Sequence, residues 1–179
     1  MSGVGAMRGK SGFTIVELMI VIAIMGVLTA IAIPTYITWL PKHRANAAAR
    51  QLFADLQNAR MRAISENNDY KVEFITGSNL YKVYDDAVLV KTINIGNHSG
   101  IGFGYSSATN WNGDGISGSV TFTGTPASVT FQPTGRANKN GSIYFKPTED
   151  ATRTDRQRAV TVLLTGRIRM YKNNGTGWD

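Results

Sequence analysis

Apolar residues follow three regimes along this 179-residue chain. From Phe13 to Ile33 they form an almost continuous run of 21 residues in which Glu17 is the one ionisable side chain. At ~1.5 Å rise per residue such a run spans ~30 Å as a helix, the hydrocarbon thickness of a bilayer. From Arg44 the spacing becomes three or four, with Ala45, Ala49, Leu52, Leu56, Ala59 and Ala63 on one stripe, which predicts an amphipathic helix lying on a core. Beyond Asp69 the period falls to two. Tyr70 to Phe74, Leu80 to Tyr84, Val88 to Ile95, Val120 to Phe122, Val129 to Phe131, Ser142 to Phe145, Val160 to Leu164 and Arg167 to Tyr171 read as short strands separated by Gly, Asn, Ser and Thr.

These elements predict an α+β chain: a long N-terminal helix whose second half packs on an antiparallel β-rich head. Residues 1–12 form a leader, 13–40 a membrane-length helix, and 41–179 the head, with its amphipathic helix at 42–66 and β domain at 70–172. The β region has the length of one domain. Pro34 and Pro41 each remove a backbone donor and crowd the preceding turn, so a kink or local melting is expected near Pro34. Asn67-Asn68-Asp69 ends the helix as a turn cluster. The glycine-rich stretch from Ile95 to Gly118 reads as a long surface loop, with an edge hairpin within it as the alternative.

Glu17 is the first candidate for function, because a carboxylate in a membrane span costs on the order of 2.5 kcal/mol or more and calls for a partner charge. Its position near the end of the run also allows it to snorkel to the headgroups. What precedes the run is not an ordinary secretory signal, whose small-residue cleavage site follows the apolar stretch. Here Arg8, Lys10, Ser11 and Gly12 all come before it. Cleavage after Gly12 would remove the charged leader and keep the helix. Positive residues beside a span stay in the cytoplasm, which leaves everything after Ile33 outside.

Gly12-Phe13-Thr14-Ile15-Val16-Glu17-Leu18 resembles the processing site of type IV pilins and type II secretion pseudopilins. The resemblance implies cleavage between Gly12 and Phe13 by a prepilin peptidase and N-methylation of Phe13. It implies storage in the bacterial inner membrane as a single-pass protein, with the N-terminus in the cytoplasm and the head in the periplasm. It further implies packing into a filament with other pilin or pseudopilin subunits through the helix around Pro34, with Glu17 pairing the N-terminal amine of a neighbour. Two opposite charges that would each be costly in a dry helical core offset one another in that way.

Composition removes other classes. There is no cysteine, which within these families points to a minor pilin or pseudopilin. The two histidines, His43 and His98, lack acidic neighbours at relay spacing. No nucleophile elbow, Walker loop or zinc-protease motif occurs, so neither enzymatic activity nor a cofactor is expected. Asn110-Trp111-Asn112-Gly113-Asp114-Gly115-Ile116 imitates the start of a calcium loop, but Thr121 stands where the bidentate glutamate would be, so a turn and no metal is expected.

Charge sharpens the picture. The chain carries +7, and loss of Arg8 and Lys10 leaves +5. From Arg136 to Lys172 nine basic residues face three acidic ones, whereas Ala63 to Gly135 holds three basic and six acidic. Lys42, Arg44, Arg50, Arg60 and Arg62 stud the polar side of the helix, a pattern suited to a solvated face beside an anionic membrane. In Thr165-Gly166-Arg167-Ile168-Arg169-Met170-Tyr171 a strand would put Arg167, Arg169 and Tyr171 on one face, their guanidinium groups ~6.6 Å apart. Such a pair can hold a sugar-phosphate backbone without reading bases. It can equally pair with Asp150 or Asp155, or solvate an edge strand.

This Gly-Arg-x-Arg ending, with Phe131-Gln132-Pro133-Thr134-Gly135 before it, is similar to the GspH/FimT family of minor pilins and pseudopilins. The resemblance implies two roles for the head. As a minor pilin of a type IV pilus it would bind double-stranded DNA non-specifically for uptake, through Gly166, Arg167 and Arg169, to which the basic surplus read above adds Arg136, Lys139 and Lys172. As a type II secretion pseudopilin it would act in protein secretion without DNA.

Overall fold

The computed structural model describes residues 12–98, 100–107, 109–148 and 153–179. The leader residues Arg8 and Lys10, the acidic Glu149 and Asp150, and the His98 side chain lie outside the described residues. The chain divides into two units, one ending at Thr38 and one running from Trp39 to Asp179.

Helix α1 (Ile15–Glu66) is unbroken for 52 residues and passes through both units. The melting expected near Pro34 is absent. Each proline removes one N–H from the ladder, and the bonds on either side persist. Thr35 and Thr38 hydroxyls add contacts there, donating to the carbonyls of Ile31 (3.3 Å) and Thr35 (2.9 Å). The helix starts at a reciprocal cap. The Glu17 N–H donates to Thr14 Oγ1 (3.2 Å), while the Thr14 N–H and hydroxyl both donate to Glu17 Oε2 (2.9 Å each). This satisfies donors that the first turn otherwise leaves free.

In the first unit the apolar side chains are uncovered; Phe13 is 82% and Leu28 61% exposed. The stretch is long and apolar enough to cross a membrane, and none of its most apolar window is buried.

In the second unit the helix stripe Ala45, Ala49, Leu52, Leu56, Ala59 and Ala63, joined by Ala48, is buried in one core with the strands. Its small residues let backbones approach closely. Two four-stranded antiparallel sheets complete the unit. The first orders β3 (Val88–Asn94), β2 (Leu80–Asp85), β1 (Tyr70–Ile75) and β5 (Ala127–Phe131); the second orders β4 (Ile101–Phe103), β6 (Gly141–Pro147), β7 (Arg158–Val162) and β8 (Ile168–Lys172). Asp55 pins the helix to the first sheet, accepting from Tyr81 OH (2.6 Å) and pairing with Lys91 (2.7 Å). Burial and this carboxylate push the Tyr81 phenol upward.

Three expectations need correction. The expected strand Val120 to Phe122 reduces to a single bridge, Val120 to Ile143. Thr121 Oγ1 accepts the Ser142 N–H (2.7 Å) that a ladder would give to a carbonyl, and Phe122 instead stacks on Phe74 at 5.6 Å. Within the glycine-rich stretch Ile101–Phe103 forms a real strand, β4, paired with β6. The strand placed at Val160 to Leu164 runs Arg158–Val162, because Leu163 and Leu164 enter a turn: the Gly166 N–H donates to the Leu163 carbonyl at 2.8 Å.

Candidate functional site

Two features carry the candidate chemistry, and each is described within its own unit. The first is the N-terminal end of α1. Gly12 has open space where a side chain would stand, and Phe13 beside it is exposed. Glu17 lies one turn on, held by Thr14 as above. The signature of that cap, Thr14-Ile15-Val16-Glu17, is readable in the sequence as a Thr followed three residues later by Glu before an apolar run. Pro34 sits within the uncovered helix, exposed on its surface.

The second feature is a pair of matched turns. Thr134-Gly135-Arg136 and Thr165-Gly166-Arg167 repeat the same tripeptide, and they repeat the same backbone bonds. In the first, the Gly135 N–H donates to the Gln132 carbonyl (2.8 Å) and the Gln132 N–H to that of Arg136 (2.9 Å). In the second, the Gly166 N–H donates to Leu163 (2.8 Å) and the Leu163 N–H to Arg167 (2.9 Å). Both glycines have positive φ, +75° and +77°, a region that only glycine enters freely. A Cβ on Gly166 would stand 1.9 Å from the Gly135 carbonyl oxygen, so the turns press against each other. Arg60 of α1 donates from Nε to that same carbonyl (2.9 Å), and the Ala137 N–H reaches Leu164 (3.1 Å). Arg136 and Arg167, at equivalent positions, are both exposed.

The remaining candidates disperse. Arg169 and Tyr171 share the other face of β8 from Ile168 and Met170, which turn to the core. Arg169 Nη1 donates to Tyr171 OH (3.3 Å), and Trp111 stacks on Tyr171 at 5.0 Å between centroids. Lys172 falls on the core-facing side of β8, away from Arg169. Lys139 donates to the Thr123 carbonyl (2.7 Å). Asp155, offered above as a partner for Arg167 and Arg169, pairs with Lys42 (2.9 Å) and Arg153 (3.8 Å) instead. Its hydrogen bond with Lys42 holds its carboxyl below the ordinary value, against the opposing effect of burial.

In the loop before β5, Asn110 Oδ1 accepts the N–H groups of Asn112 (2.8 Å) and Asp114 (2.9 Å), and Asn112 Nδ2 donates to Asp114 Oδ2 (3.1 Å). These side-chain oxygens close a turn upon themselves.

Comparison with known proteins sets these features in context. The family model described as Type II transport protein GspH matches residues 48–166, and a prokaryotic N-terminal methylation motif matches residues 7–33. A fimbrial protein of Pseudomonas aeruginosa is 41% identical over 63 residues, 35% of this chain and 40% of that protein. A type IV major alpha-pilin of Moraxella bovis is 46% identical over 48 residues, 27% and 30% respectively. The chain thus spans two fifths or less of the length of these curated relatives. Among solved structures, the type IV minor pilin FimU of Pseudomonas aeruginosa aligns with TM-score 0.53 at 14% identity, covering 76% of this chain and 93% of that one. The minor pseudopilin EpsH from the Type 2 Secretion System of Vibrio cholerae aligns with TM-score 0.52 at 15% identity, covering 72% and 97%. The long helix packed on antiparallel sheets is the fold they share with this chain.

Proposed function

The chain belongs to the Type II transport protein GspH family, and from that premise we propose that it is a minor pilin, a structural subunit and not an enzyme, of a type IV pilus. A prepilin peptidase cuts it between Gly12 and Phe13 and methylates Phe13. The inner membrane stores it, and other pilin subunits take it up through α1, with Glu17 meeting the N-terminal amine of a neighbour. One observation carries this reading. A helix more than 20 residues long is sheathed in exposed Ile, Leu, Val and Met, a surface that only lipid or other copies of such a helix can cover. A bulky residue at Gly12 is expected to block maturation, read by mass spectrometry as retention of the leader.

A second reading, DNA capture by the head, is favoured by the matched turns, which hold Arg136 and Arg167 exposed on two backbones in contact. Its alternative is a type II secretion pseudopilin whose head meets protein only. Salt separates them, because phosphate contacts release counterions and affinity falls with a log-log slope of ~0.9 per phosphate. The full chain in non-ionic detergent is titrated with duplex DNA across a salt series, beside Arg136→Gln with Arg167→Gln. Salt-steep binding that the double variant loses supports the DNA reading, and absence of binding at low salt leaves a structural subunit or a secretion pseudopilin.

A further inference from the structure

On β7 and β8 the Cα positions of Arg158 and Lys172 stand directly opposite each other. Their row continues through Val160 with Met170 and Val162 with Ile168, which line the core beneath α1. Two cations at directly opposed positions destabilise a strand pair, unless something negative lies between them. Arg50 and Asn46 of α1 meet this end of the sheet, and with Arg158, Met170, Lys172 and Asp179 they line a cleft of ≈ 380 Å³.

Arg158 is buried, 8% exposed, and its Nε has no hydrogen-bond partner among the described residues. Its Nη1 is used by the carbonyl of Gln157 (2.6 Å). Among the described residues, Arg50, Arg158 and Lys172 form no ion pair. Asp179 exchanges backbone bonds with Lys172 (2.9 Å each way) and its carboxylate accepts from Asn174 (3.1 Å). Burial pulls the Arg158 guanidinium below its ordinary value, with Asp155 partly opposing. A buried guanidinium donor without an acceptor is costly, and the Arg158 side chain belongs to the lining of the cleft.

We propose that this cleft is a binding site for a phosphate group. Three cations and the Asn46 amide line it, and the carboxylate of Asp179 offsets only part of their charge. A free phosphate offers three or more acceptor oxygens and up to two charges, and the phosphodiester of a lipid headgroup offers two non-bridging oxygens and one charge with its bridging oxygens beside them. The phosphate can come from a phospholipid headgroup or from a free phosphate. Asn46 lies six residues in sequence beyond Leu40, the last residue of the membrane-length stretch, which favours the headgroup; that preference rests on the membrane reading above.

The test uses the full chain in non-ionic detergent, with inorganic phosphate added at constant ionic strength against chloride. Phosphate is expected to raise the melting temperature progressively, by mass action on the folded state, where chloride does not. Arg158→Gln is expected to abolish the rise. Because that side chain is buried, the exposed Arg50→Gln and Lys172→Gln are measured beside it, each weakening phosphate about tenfold. A second arm reconstitutes the chain in nanodiscs of phosphatidylglycerol or phosphatidylcholine. A roughly tenfold preference for the anionic lipid, lost in Lys172→Gln, identifies the headgroup as the source; a response to inorganic phosphate without that preference identifies the free ion. Equal effects of phosphate and chloride, or variants that bind like wild type, overturn the proposal. The DNA reading is tested at Arg136 and Arg167, so either can fail alone.

Discussion

One helix serves two purposes, and its halves differ in what covers them. Between Leu52 and Ala63 the apolar stripe is at most 2% exposed and closes the core of the head. Between Phe13 and Trp39 side chains of the same kind stand 44–82% exposed. The burial that stabilises a fold is complete in one half and withheld in the other. On the function proposed above, assembly or lipid supplies the missing contacts of the withheld half.

The largest effects should break this contrast directly. Leu52→Ala or Leu56→Ala leaves a cavity under the sheets and is expected to cost the head about 2–5 kcal/mol, measured by chemical denaturation of the chain in detergent. The matching truncations Leu18→Ala and Ile22→Ala should leave that transition unmoved, since those side chains touch no core. Next, Gly166→Ala forces a Cβ towards the Gly135 carbonyl at positive φ and is expected to cost about 2–3 kcal/mol. Losses of that size confined to the head confirm that the matched turns belong to its packing. The smallest effect is at Lys42→Ala, where a partly exposed ion pair with Asp155 is worth at most about 1 kcal/mol. Because the folded state depresses the Asp155 carboxyl, its contribution is present above the ordinary carboxylate range and lost as pH falls through the depressed value. Wild type and variant should therefore differ at neutral pH and converge in acid, followed by thermal unfolding at each pH.

The same contrast explains what the sequence disclosed. All six residues of the expected helix stripe are buried, because a 3.6-residue period persists wherever one face meets a core. β1 and β2 were readable for the same reason, with period two. The helix does not melt at Pro34 because proline removes one bond, whereas a 52-residue ladder retains many. β4 was hidden by its length and by Gly102 in its middle, and its strand partner is β6, 42 to 46 residues away. At Thr121 a side chain took a ladder bond, a substitution no periodicity reports.

Among the site residues, the N-terminal motif was legible because it is contiguous. Arg136 and Arg167 were both named, yet the contact between their turns depends on two glycines 31 positions apart and on Arg60, which the helix delivers. The repeat of Thr-Gly-Arg was the available signal. Lys172 was placed with Arg167 and Arg169 by proximity in sequence, and the alternation of β8 sends it to the other face, opposite Arg158.

The most direct test of the account concerns Glu17. The chain carrying Glu17→Ala is expressed in place of the wild type, leader removal is read by mass spectrometry, and sheared filaments are probed for the subunit. The account predicts a processed protein that stays in the membrane and is depleted from filaments at least tenfold. Incorporation at the wild-type level would contradict the pairing of Glu17 with a neighbour and, with it, the role assigned to the uncovered half of the helix.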